Sequence, residues 1–318
     1  MWIRGSINGA MVVALVMATA SSGRPAAARA DRDAGGETSA CRTPVDPPAM
    51  RLAVVSHEPP TGVADGMEGI EDPAVRDLLA AIDVQTLGLR DFASRVRMDT
   101  YDDLADETEK RFGRVYMVMP PPSAEDASEA DRGAEPGGRR RAAIVFERSI
   151  EPSGRARERL EHFVLDDGVL SDYDHEAKRL VRRRVVEPGD RRDPLRLGEG
   201  PVPIPIGQRS RDIVRYFEVT RAPEVPARIA KSVAGVTGLH LVPRPGTEMS
   251  EDRKVASIDL WLVGEERLPF AVELRERDGD RTTVRFFDPV LNAGIDATAR
   301  RWLEAPEVDP KVWRIESR

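Results

Sequence analysis

From Phe92 onward the chain repeats one pattern, a stretch with apolar side chains at alternate positions, then a short turn built on Gly or Asp, then another such stretch. Alternation with period two is the signature of a strand with one face buried, and turns this short join antiparallel neighbours. The stretches are Phe92 to Tyr101, "RVYMVM" at Arg114 to Met119, "RAAIVFERS" at Arg141 to Ser149, "GLHLVP", "VASIDLWLVG", "LPFAVELRERDG" and "DRTTVRFFDP". The segment "FVLDDGVLSDYDHEAKRLVRRRVV" holds the plainest hairpin. Its Asp166, Asp167 and Gly168 suit a tight connection, because Gly and Asp tolerate positive φ. Gly264, Asp278 and Gly279 mark two later turns. The pattern predicts a long antiparallel sheet with one wet face and with helices laid on the other.

Two helices are predicted. Asp72 caps the first, Pro73 suits its opening position, and Val75, Leu78, Leu79 and Ile82 repeat at helical spacing. The second lies in "RSRDIVRYFEV", with Ile213, Val214 and Phe217 on one side. Between hairpin and second helix, the three prolines of "LRLGEGPVPIPIGQ", Pro201, Pro203 and Pro205, forbid a regular ladder.

The first thirty residues stand apart. A short basic start, an apolar run from Ile7 to Ala20 and the small-x-small ending Ala28 to Ala30 read as a secretory signal peptide over 1–30. Residues 31–68 form a Pro- and Gly-rich leader, and the folded domain is expected over 69–318. A loop insertion, acidic and rich in Pro and Gly, is expected at about 120–140. An exported, periplasmic protein follows from the signal. Cys41 is the single cysteine, so no intramolecular disulfide exists, and it reads as a spare thiol in the leader.

Charge limits the partners. With 48 Lys and Arg against 55 Asp and Glu, the net charge of -7 argues against a general nucleic-acid binder. The triplets Arg139 to Arg141 and Arg182 to Arg184 read as solvated loop or edge-strand residues.

Catalytic signatures are absent from the sequence. It has no phosphate-loop glycines, no nucleophile elbow and no paired-histidine zinc helix, so no cofactor is expected. Asp172, Asp174 and Glu176 would share a strand face and are read as its solvated side, and His162 and His240 as structural histidines. A metal-dependent hydrolase would need His175, Asp172 and Asp174 to meet a further ligand in a cleft.

What the alternation leaves is a broad apolar face. It carries Val115, Met117 and Met119; Ala143 and Val145, or else Ile144 and Phe146; Phe163 and Leu165; Ile258, Leu260 and Leu262; Phe270, Val272 and Leu274; Val284 and Phe286. Two modest helices must cover it. Either they fill the space as an ordinary core, or they act as a lid over a cavity fit for an apolar ligand.

In order and spacing, several segments resemble the periplasmic lipoprotein carriers of the LolA type. They are "VRDLLAAI", "LRDFASRVRM", "GRVYMVMP", the hairpin with Tyr173 and Asp174 after its turn, "GPVPIPIGQ", "GLHLVPRPG", "LPFAVELRERDGDRTTVRFFD" and "LNAGID", spanning about residues 70 to 315. The resemblance implies a strongly curved antiparallel half-barrel covered on its concave face by helices. It implies a non-enzymatic carrier whose hollow shields the acyl chains of lipoproteins or lipids on the way to the outer membrane. An inner-membrane release complex and an outer-membrane acceptor would be its partners. The expected lining is Val115, Met117, Met119, Phe146, Phe163, Leu165, Leu260, Leu262, Phe270, Val272, Leu274 and Phe286. One departure is visible: the family's basic residue before the strand-ending proline, which latches the lid, is replaced by Met119 before Pro120. An envelope sensor or interaction module on the same fold is the alternative reading.

Overall fold

The computed structural model describes residues 69–119, 140–186, 195, 197, 203–230, 233–251 and 255–317. All of them fall in one compact unit, His57–Arg318. The expected signal peptide, the leader with Cys41, and nearly all of the insertion lie outside the described residues.

Helix α1, Pro73–Gly88, opens the fold as the sequence predicts. Asp72 accepts the Ala74 N–H at 2.8 Å, and Val75, Leu78, Leu79 and Ile82 form its buried side. Twelve strands follow: β1 (Asp91–Asp102), β2 (Glu107–Val118), β3 (Arg141–Ile150), β4 (Ala156–Asp166), β5 (Val169–Asp174), β6 (Arg179–Arg184), β7 (Phe217–Arg221), β8 (Val236–Pro243), β9 (Val255–Val263), β10 (Leu268–Glu276), β11 (Arg281–Leu291) and β12 (Arg314–Ser317). Three short helices interrupt them: α2 (Ser210–Tyr216), α3 (Glu248–Glu251) and α4 (Ala297–Leu303). Phe217, expected on the second helix, instead begins β7.

The strands make one curved, unclosed sheet in the order β12-β6-β5-β4-β3-β2-β1-β11-β10-β9-β8-β7. Every pairing is antiparallel except β12 with β6. The β4–β5 hairpin closes through two residues, Asp167 at φ 49° and Gly168 at φ 70°. Two positive φ values in a row match the twist of the flanking strands. A Cβ on Gly168 would also sit 2.8 Å from the Val186 carbonyl oxygen.

The main core is a single apolar layer on one face, drawn from β1 to β4 and β7 to β11 and joined by the buried side of α1. The other face is less wet than the alternation predicts. Helix α4, capped by Asp296, buries Ala299 and Leu303 against Tyr116 and Ala143. Val164, Tyr173 and Leu180 take Val308 and Trp313 upon them, and Trp261 and Ala271 take Ile229 and Val225. Helices thus sit on both faces of the sheet. The C-terminal segment reads as polar in one dimension, yet its few apolar residues fall where sheet residues of the second face need cover.

Candidate functional site

The apolar layer is the chemical feature of this fold. Its positions are fixed by register: Phe92 faces Met117 across β1 and β2, Val115 faces Ile144, Ile144 faces Phe163, and Val272 faces both Leu260 and Val284. Of the residues expected to line it, Val115, Met117, Phe146, Phe163, Leu165, Leu260, Leu262, Val272 and Phe286 belong to the layer and are buried. Met119 and Leu274 pack at its border. The choice left open on β3 resolves to Ile144 and Phe146, since Ala143 lies under α4.

Phe270 is a correction. The β9–β10 register slips between Pro269 and Ala271, leaving Phe270 as an extra residue. A bulge shifts the alternation by one. Phe270 therefore packs on the opposite face, beside Trp261 and Ala271.

Simple alternation missed other members. Phe92, Val96 and Met98 on β1, and Leu239 and Leu241 on β8, belong to the layer. So do Leu197, Ile204 and Ile206 of the proline-rich stretch. In "PIPI" the alternation of Ile204 and Ile206 is the signal that could have found them.

At six positions on β8 to β11 the layer is filled. Leu239, Leu241, Ile258, Leu260, Val272 and Val284 each expose 0% of their surface. A void large enough for one water would register as exposed surface, so none adjoins these side chains. Access to the layer therefore requires that its cover move.

That cover is held at its C-terminal end by hydrogen bonds. Asp83 accepts from the Ser210 N–H at 2.7 Å and from its hydroxyl. The Thr86 hydroxyl donates to the Gln208 carbonyl at 2.6 Å, and the Gln85 amide donates to the Arg267 carbonyl at 2.9 Å. Asn292 donates to the Gly88 carbonyl at 2.8 Å and accepts the Arg90 N–H at 2.7 Å. Gln208 in turn binds the proline-rich segment, donating to the Leu195 and Ile204 carbonyls and accepting from the Leu197 N–H. Met119, standing where the resemblance expects a latch, donates its N–H to the Arg90 carbonyl at 2.8 Å.

Several titratable residues are buried, and most of these are bound. Asp174, expected on a solvated face, is buried. It accepts the Glu176 and Ala177 N–H groups and pairs with Arg159 at 3.0 Å. Asp172 is pushed above the usual carboxylate range, mainly by burial. His162 is 1% exposed, bonds the Trp302 carbonyl through Nε2 at 2.7 Å, and stacks on Tyr173. Burial depresses it to about 4. His240 pairs through Nδ1 with the buried Asp259 at 2.6 Å. Glu273, wholly buried, is bound by Arg228, by Arg275 and by the Thr283 hydroxyl. Among the described residues no group of three His, Cys, Asp or Glu is placed to hold a metal ion. Among them, too, no helix is long and apolar enough to cross a membrane.

No family model matches the chain, and no curated protein matches it. Solved structures similar to it include an uncharacterised conserved protein from Thermus thermophilus, at 11% identity over 77% of this chain and 99% of that one, TM-score 0.37. An outer-membrane lipoprotein-sorting protein domain from Vibrio parahaemolyticus is similar at 12% identity over 73% and 97%, TM-score 0.31. A LolA superfamily protein from Nitrosomonas europaea is similar at 10% identity over 70% and 94%, TM-score 0.28. At TM-scores below 0.5 these likenesses carry no weight for function. That weight falls on the apolar layer of this chain.

Proposed function

We propose that the chain is a non-enzymatic, exported carrier that takes the acyl chains of a lipid or lipoprotein onto this apolar layer and shields them from water on the way to the outer membrane. The single observation that supports the reading is a continuous apolar layer covered in part by the buried side of one amphipathic helix, α1. Burying Val75, Leu78, Leu79 and Ile82 of α1, at about 1.5–3 kcal/mol each, contributes on the order of 6–12 kcal/mol. An acyl chain of about fifteen methylenes gains about 12 kcal/mol when it leaves water. The two magnitudes match. Exchange of helix for lipid is then close to balanced, which a carrier needs if it is both to load and to release.

The filled layer also favours a second reading, an envelope sensor or interaction module whose core is never opened. Titration with a fluorescent fatty-acyl probe separates the two. The carrier reading expects saturable binding by the wild type and its loss in Leu260→Glu, with circular dichroism checking that the variant folds. Failure of the folded wild type to take up the probe leaves the module reading standing.

A further inference from the structure

On the face opposite the apolar layer, register aligns Arg148 of β3 with Phe112 of β2, Phe112 with Arg97 of β1, and Arg97 with Arg285 of β11. Adjacent strands are about 4.8 Å apart, so this row spans about 14 Å. Its cations lie over aromatic rings. Arg148 stands 5.6 Å and Arg97 5.8 Å from the Phe112 centroid. Arg285 stands 5.0 Å from that of Phe287 and 6.0 Å from that of Phe270. All three rings are only partly buried.

The arginines differ in what neutralises them. Arg97 is clasped by Asp99, with Nε at 2.7 Å from Oδ1, and nearby Arg114 is held by both oxygens of Glu147 at 3.0 and 3.1 Å. Arg95 pairs with Asp288. Among the described residues, Arg148 and Arg285 show no carboxylate within ion-pair distance, and the buried Nε of Arg285 has no hydrogen-bond partner. Burial, and then the charge of Arg97, lowers the Arg285 pKa. An arriving carboxylate would relieve the charge through the terminal nitrogens of the guanidinium.

We propose that this strip docks an extended acidic segment of a partner protein, its carboxylates pairing with Arg148 and Arg285 and its backbone lying over Phe112 and Phe287. Charge complementarity selects the occupant, because planar guanidiniums over rings bind carboxylates in two-point fashion. Extended chain advances about 3.3–3.6 Å per residue, so carboxylates about four residues apart span the row. Two flanks narrow the choice further. Helix α4 covers part of β2 to β4, and the 222–229 segment covers part of β8 to β10 on the same face. Both segments stand on the face that carries the strip, which disfavours close approach of a planar bilayer. A nucleic-acid strand would meet only two uncompensated cations on a chain of net charge -7.

Fluorescence anisotropy of the full chain with a labelled octaglutamate peptide tests this. Saturable binding that weakens steeply with salt and is absent for octaglutamine is expected. Arg148→Gln, an exposed change that leaves the core untouched, and Arg285→Gln should each weaken it by about tenfold or more. Arg114→Gln, whose charge is already matched by Glu147, should change it little. Equal binding of octaglutamine, unchanged affinity in folded Arg148→Gln, no binding at all, or tighter binding of oligothymidylate or of anionic vesicles would each overturn the assignment. The acyl-probe titration is a separate readout, so failure here leaves the carrier reading untouched.

Discussion

Leu79→Ala separates a displaceable lid from an ordinary core helix. Leu79 is 0% exposed and sits midway along the buried side of α1, flanked by Val75, Leu78 and Ile82. Truncating a buried leucine to alanine costs about 2–5 kcal/mol, through lost transfer energy and the cavity left behind. If lipid enters only when α1 lifts, that loss falls on the closed state and not on the loaded one. A weakening of about 2 kcal/mol then tightens apparent acyl-probe affinity by about 30-fold, since 1.4 kcal/mol is tenfold. A fluorescent fatty-acyl titration of wild type and variant reads the shift, with urea unfolding confirming that the variant loses stability. Loss of stability with unchanged or weaker probe binding would refute the lid argument. Circular dichroism must show the variant folded under the titration conditions, because a loosened core also takes up apolar probes.

Two further predictions concern the scaffold. Native His162 titrates at about 4 and an unfolded histidine near 6.5. The unfolded state therefore takes the proton first as pH falls. The stabilisation is complete above about pH 6.5, erodes between about 6.5 and 4, and amounts to about 3 kcal/mol. His162→Gln keeps a donor for the Trp302 carbonyl but cannot titrate, so the wild-type minus variant difference in urea stability should shrink across that window; parallel curves would contradict the assignment. Gly113→Ala should destabilise by about 2–4 kcal/mol, because its Cβ would lie 1.9 Å from the Val145 carbonyl oxygen on the paired strand. A variant with unaltered melting temperature would show that β2 and β3 can part at no cost.

Much of the sheet was legible because period-two alternation reports burial on one face, and a strand such as β8 obeys it without interruption. The β4–β5 turn was legible for a steric reason, since only residues like Asp167 and Gly168 accept consecutive positive φ. Phe270 was misread because a bulge at Pro269 is invisible to a pattern that assumes unbroken register. The role of α4 was missed because Ala299, Trp302 and Leu303 are too few to announce a buried face; their partners Tyr116 and Ala143 lie over 150 residues away. Likewise Asp174 and Glu273 look like solvated strand acids until arginines and capped turns, distant in sequence, are brought to them. The apolar layer was readable as a list of residues. Its filled state was not, because alternation fixes which face is apolar and says nothing of what covers it.

Hydrogen exchange of the α1 amides, with and without a bound diacyl peptide, tests the central claim most directly. The account predicts that protection across Val75 to Ile82 falls when the probe binds, because the acyl chains would take the place of the helix's buried side on the layer. Binding with α1 still protected, or no binding by the folded protein, would contradict it.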